Sequence, residues 1–132
     1  KALGIAEMVL FCGNVNRPED YLQAMDVFVM TSLFEGLPIV GVEAQASGLP
    51  CIFADTITQE VKILPQTQFL ALTQPDEAWA ERIVQTKPME RSLAGHCVES
   101  AGFAEENLDR QVCALYGMEE HHFANISGRD HL

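Results

Sequence analysis

Four short apolar runs constrain this chain more than any other feature: Val9-Leu10-Phe11-Cys12, Val27-Phe28-Val29-Met30, Cys51-Ile52-Phe53-Ala54 and Gln68-Phe69-Leu70-Ala71-Leu72. None of them alternates apolar with polar residues. Uninterrupted runs of this length are expected of strands covered on both faces, the arrangement found in parallel sheets flanked by helices. The segments between the runs fit. Pro18 opens a helix to about residue 25, and Glu19 and Asp20 sit where the helix dipole favours acids. Pro38 opens a second helix carrying Val42, Ala44, Gln45 and Ala46, which stops at Gly48 with Pro50 beyond it. Strand, helix, strand, helix, strand is the doubly wound pattern, so the fold class is α/β, a Rossmann-like parallel sheet with flanking helices.

The remaining segments are helical or terminal. Gly13-Asn14 turns the chain after the first run. Helices are expected from Pro75 to about residue 85 and from Pro88 to about residue 118, and the polar tail 119–132 is expected to fray. Residues 1–4 resemble the last turn of a helix with Gly4 just past its end. The natural protein is therefore expected to extend upstream, and residues 1–118 to form one N-terminally incomplete domain. A length of 132 residues suits one domain at roughly 150 residues each.

Charge and cysteines narrow the function classes. With 19 acidic against 8 basic residues the net charge is -11, which lacks the basic footprint of a general nucleic-acid binder. A hydrophobic share of 48% rules out whole-chain disorder. The longest uncharged apolar stretch, around residues 27–34, falls far short of the ~20 residues a bilayer needs. The four cysteines form no C-x-x-C pair, which argues against a zinc ribbon or a thioredoxin motif. Cys12 and Cys51 lie in apolar runs and read as small buried hydrophobes in a reducing, cytoplasmic setting.

Residues 31–44, Thr-Ser-Leu-Phe-Glu-Gly-Leu-Pro-Ile-Val-Gly-Val-Glu-Ala, are the most informative segment. They run from the carboxyl end of a predicted strand into a helix start, which is where doubly wound folds bind ligands. A helix start offers unpaired amides and partial positive charge, suited to phosphate. Pro38 has no N–H, so the donors are Ile39, Val40 and Gly41; Gly36 and Gly41 would let a ligand approach the backbone. Glu43 stands about 7.5 Å along the helix axis from Pro38, among residues suited to burial, where a carboxylate requires a partner. Its two oxygens match a ribose diol. Glu35, in the loop at the mouth, is placed to accept from a sugar hydroxyl. Alone, Glu35 reads equally as a solvated loop residue and Glu43 as one half of an ion pair; the helix start between them favours function.

The stretch Glu35-x7-Glu43 within SLFEGLPIVGVEAQASGLPCIFAD, preceded by AMDVFVMTS and followed by ITQEV, closely resembles the donor-binding motif of the retaining group-1 glycosyltransferases of the GT-B fold. It is similar to a bacterial subgroup that builds capsular or exopolysaccharide repeat units. The resemblance covers residues 3–72 and implies a partial C-terminal, donor-binding domain. It implies that Glu35 contacts the donor sugar as the catalytic carboxylate and that Gly36 and Leu37 offer amides to the sugar. Ile39 and Val40 would then hold the diphosphate, Glu43 the ribose, and Asn14, Val15 and Asn16 would lie against the base. Relatives often place an arginine in that last loop; here the nearest is Arg17. Thr31 stands where many relatives have proline.

The implied chemistry is front-side transfer with retention, from a nucleotide-sugar taken to be a UDP-sugar, to a glycan or lipid-linked acceptor. No cofactor and no metal are expected, and no D-x-D metal motif occurs. The acceptor domain and the family's phosphate-gripping Arg and Lys would precede Lys1. The chain alone is therefore expected to be inactive in transfer and to bind nucleotide weakly at most, and the full-length enzyme to be cytoplasmic and peripheral to the inner face of the plasma membrane. The alternatives are a non-catalytic Rossmann-like interaction module and a GT-B sugar-nucleotide epimerase. A glycosidase is disfavoured because Glu43 is expected to point into the helix–strand unit, and a dehydrogenase because no G-x-G-x-x-G follows a strand.

Weaker signals have plain readings. His121, His122 and His131 with Glu119 and Glu120 read as a floppy tail, and Asn125-Ile126-Ser127 as a chance acceptor pattern. His96-Cys97 reads as a packed helix face, and Trp79 with Ile83 as core.

Overall fold

The computed structural model describes residues 3–87 and 90–103. After a 3-10 turn at Ala6–Met8 come α1 (Pro18–Ala24), β1 (Phe28–Met30), α2 (Ile39–Ala46), β2 (Cys51–Ala54), a second 3-10 turn (Gln59–Val61), β3 (Gln68–Leu70), α3 (Asp76–Gln85) and α4 (Arg91–Val98). The three strands form one parallel sheet in the order β1-β2-β3. Met30 pairs with Phe53 and Phe53 with Phe69, so β2 is the central strand. The fold is thus the expected α/β arrangement, a parallel sheet with flanking helices.

Burial follows sheet position. All four residues of β2 are 0% exposed, whereas β1 and β3, each paired on one side among the described residues, are mostly half-buried. The core joins β2 to Leu22 of α1, Ala44 of α2 and Ile57 and Val61 of the β2–β3 connection. The Phe53 ring stands 6.0 Å from Phe28 and 5.8 Å from Phe69, tilted in both pairs, so one aromatic ring from each strand meets at the sheet centre.

Two glycines set how α2 sits. A Cβ at Gly41 would lie 2.9 Å from the Phe53 ring, so the bare backbone allows the helix to press against β2. Gly48 ends the helix at φ 75, and a Cβ there would lie 2.8 Å from Arg91 Cα. Arg91 is thereby brought to the end of α1, where it donates to Gln23 O at 2.6 Å and Met25 O at 2.8 Å. These bonds satisfy carbonyls left open at a helix C-terminus.

Several expectations are corrected. Residues 9–12 form no strand and are exposed, Leu10 by 82% and Phe11 by 91%, and Cys12 is exposed with them. A strand needs a neighbour to bond, and this segment joins neither β1 nor β3. The helix expected from Pro88 begins at Arg91 and passes into a wide turn, Glu99–Phe103, in which Gly102 takes φ 95 and breaks it. His96 is solvent-facing and lies 3.5 Å from Glu99, while Ala94 and Val98 do the packing. Trp79 is half-buried and packs against the core as expected, while Ile83 is half-buried. Gly4 has the expected positive φ. The tail, and the expected continuation of the last helix to residue 118, lie outside the described residues.

Candidate functional site

The segment 31–38 leaves the carboxyl end of β1 and enters α2, the strand-end position outside which open α/β sheets bind ligands. Leu33 and Phe34 project into solvent, Phe34 by 91%. Glu35 is half-buried, Gly36 and Leu37 are exposed, and Pro38 is buried as the N-cap of α2. Nothing lies within 4 Å of a Cβ built at Gly36, so the backbone there is open.

At the helix start, the amides of Gly41 and Val42 both donate to Pro38 O, at 2.9 and 3.4 Å. Gly41 is therefore not an available donor, and its missing side chain serves packing against Phe53 rather than ligand approach. Ile39 and Val40 are the two exposed residues of the first turn.

Glu43 does not lie in the helix–strand unit; it is exposed. The buried face of α2 is Gly41, Val42, Ala44 and Gln45, which leaves Glu43 and Ala46, one turn apart, on the outer face. The Glu43 side chain opens onto a groove of about 610 Å³ between α2 and the turn after α4, with Leu37, Ile39 and Val42 on one wall and Val98 and Phe103 on the other. Exposure removes the need for a protein partner. A second groove of about 570 Å³ lies at the ends of β1 and β3 against α3, lined by Thr31, Leu33, Leu72 and Trp79.

The loop before α1 places Asn14 and Asn16 in solvent and Val15 half-buried. Arg17 is turned to the first turn of α1, pairing with Glu19 at 3.2 Å and Asp20 at 3.0 Å. Backbone hydrogen bonding, and then Arg17, hold the Glu19 carboxyl below its ordinary value. Among the described residues no group of three or more His, Cys, Asp or Glu side chains is gathered at one point. No helix among them is long and apolar enough to cross a membrane.

Two residues outside the glutamate pair are tied to this segment. Thr56 Oγ1 donates to Ser32 O at 2.7 Å, linking the loop to the turn after β2. Gln45 is fully buried and its amide is saturated. Nε2 donates to Gly41 O and Val61 O at 2.9 and 2.7 Å. Oε1 accepts from Ile63 N, Leu64 N and Thr67 Oγ1 at 3.0, 2.9 and 2.8 Å. An amide at a position phased with Gly41 and Val42 on the buried face is a visible sequence signal for Gln45. Thr56, a hydroxyl residue in a turn, carries none.

Residues 1–86 match the family described as glycosyl transferases group 1. The putative glycosyltransferase EpsF of Bacillus subtilis (strain 168) is 51% identical over 78 residues, 58% of this chain and 20% of that protein. The Vi polysaccharide biosynthesis protein VipC/TviE of Salmonella typhi is 36% identical over 114 residues, 80% of this chain and 19% of that one. An Escherichia coli UDP-Gal:alpha-D-GlcNAc-diphosphoundecaprenol alpha-1,3-galactosyltransferase is 42% identical over 53 residues, 40% of this chain and 14% of that protein. The chain thus spans about a fifth of the length of the first two relatives. No solved structure matches.

Proposed function

The chain belongs to the glycosyl transferases group 1, and on that footing we propose that it is the donor-binding part of an enzyme that moves a sugar from a nucleotide to a glycan or lipid-linked acceptor. The observation that carries this reading is the pair Glu35 and Glu43, flanking the start of α2 at the carboxyl end of β1. The names of the relatives, two of them tied to polysaccharide or undecaprenol-linked glycan assembly, support a role in polysaccharide biosynthesis.

The roles follow from the chemistry of each group. The amides of Ile39 and Val40, with the positive end of the helix dipole, hold the donor diphosphate and stabilise charge as the nucleoside diphosphate leaves. Glu43, exposed one turn further along, accepts both ribose hydroxyls. Glu35, in the half-buried loop, accepts from the transferred sugar, with Gly36 and Leu37 offering backbone amides beside it. Asn14, Val15 and Asn16 lie against the base, and UDP is the expected nucleotide. Transfer proceeds with retention from the donor face, without a protein nucleophile and without a metal. The acceptor is held by protein beyond this chain, so these 132 residues alone do not transfer sugar.

In the complete enzyme, Glu43→Ala raises the KM for the nucleotide-sugar and Glu35→Ala lowers kcat. Wild-type kinetics in both variants contradict the reading. Measurable transfer by the 132-residue chain alone contradicts its inactivity.

A further inference from the structure

The loop 31–38 is held by little burial. Leu33 and Phe34 are in solvent and Gly36 and Leu37 are exposed, so a tertiary hydrogen bond to this loop matters more than it would in a packed segment. Such a bond comes from Thr56, whose hydroxyl donates to Ser32 O at 2.7 Å across 24 positions of sequence. Thr56 is itself exposed, and it stands two residues past the end of the central strand β2, the most buried element of the sheet. The same β2–β3 connection grips α2 through Gln45, by way of Val61, Ile63, Leu64 and Thr67. One connection therefore fixes both the loop that carries Glu35 and the helix that carries Glu43.

We propose that the β2–β3 connection is the frame that aligns the donor site, with Thr56 as a positioning residue for the Glu35 loop and hence for the sugar half of the donor. The proposal rests on the donor-binding reading above. It assigns Thr56 no contact with substrate. Its action is to hold Ser32 O, three positions before Glu35, at a fixed height above the strand ends, while Gln45 independently holds the nucleotide half. Loss of the Thr56 hydroxyl consequently affects sugar recognition and leaves nucleotide recognition in place.

Thr56 is exposed, so Thr56→Val and Thr56→Ser do not endanger folding. Ligand-observed NMR on the complete enzyme measures Kd for UDP, GDP and ADP and for UDP-glucose, GDP-mannose and ADP-glucose. In the wild type a nucleotide-sugar binds more tightly than its own nucleoside diphosphate. Thr56→Val weakens the nucleotide-sugar by about threefold to tenfold, the worth of one hydrogen bond, and leaves the diphosphate unchanged. Thr56→Ser restores the wild-type ratio. A purely structural role lowers the thermal midpoint and weakens both ligands together; that result, or wild-type affinities in Thr56→Val, overturns this proposal and leaves the donor reading standing. A wild type that binds a diphosphate and its nucleotide-sugar equally removes the sugar from the Glu35 loop and overturns the proposal with it. A wild type that binds none of the six overturns the donor reading itself.

Discussion

Two runs in this chain are alike in apolar character and meet opposite fates. Val9-Leu10-Phe11-Cys12 and Cys51-Ile52-Phe53-Ala54 are both four residues of uninterrupted apolar character with one phenylalanine and one cysteine. The second is the fully buried centre of a parallel sheet, and the first lies exposed without strand structure. The difference is backbone pairing. Residues 51–54 have β1 on one side and β3 on the other, while residues 9–12 have no strand beside them among those described. Apolar composition makes a strand possible; a neighbour with free N–H and C=O groups makes it form.

The sharpest way to break this contrast is to truncate the two aromatic rings. Phe53→Ala removes the ring that meets Phe28, Phe69 and Gly41, and is expected to cost about 3–5 kcal/mol. Phe11→Ala is expected to fall within about 0.5 kcal/mol of wild type. Urea unfolding measures both; equal losses would mean that residues 9–12 are packed after all.

Next in size is Gln45→Met, which keeps the volume and strands the buried groups now bonded to the amide. Each costs about 1–3 kcal/mol if left unsatisfied, and a total loss of about 2–4 kcal/mol is expected once the loop relaxes. A loss under 1 kcal/mol would show that the β2–β3 connection holds α2 by apolar packing alone.

Gly41→Ala against Gly36→Ala gives a smaller effect. The first forces a methyl to within 2.9 Å of the Phe53 ring. Overpacking of about 1–3 kcal/mol, less about 1 kcal/mol of recovered helix propensity, leaves a net loss near 1 kcal/mol. The second meets open space and is expected to be neutral in stability. A thermal melt of each variant is sufficient.

The cysteines give the mildest test. Burial pushes the Cys51 thiol up to about 12 from 9.0, so it stays protonated and unreactive at neutral pH. Cys12 is exposed. Iodoacetamide at pH 8 followed by peptide mass spectrometry is expected to label Cys12 and spare Cys51. The sign for stability follows. Between pH 9 and 12 the unfolded chain loses the Cys51 proton and the folded chain keeps it. This contribution is full below pH 9 and lost as pH rises through that window. A Cys51→Ala variant should lack that alkaline decline.

The same contrast explains what was legible in the sequence. Elements whose pairing partners lie nearby in the chain were readable: β1, β2, β3, the proline-initiated α1, α2 and α3, and the Gly48 stop all stand within a residue or two of expectation. The glutamate motif was readable because its spacing and its flanking GLP survive as a string. Side-chain direction was not. Glu43 looked buried among Val42, Ala44 and Ala46, yet a helix of eight residues turns only one face to the sheet, and residue 43 falls outside it. Gly41 looked like ligand space because its neighbour Phe53 is twelve residues away. The Thr56 contact with Ser32 spans 24 positions and has no local sign at all.

The central claim is that the start of α2 receives the nucleotide phosphates while Glu43 holds the sugar attached to the base. It is tested most directly by following the backbone amides of the 132-residue chain by two-dimensional NMR during titration with UDP. The account predicts that Ile39 and Val40 shift most, that residues around Asn14 to Asn16 follow, and that Glu43→Ala abolishes the shifts without disturbing the rest of the spectrum. Shifts centred on the Trp79 groove against α3, or unchanged shifts in Glu43→Ala, would contradict it.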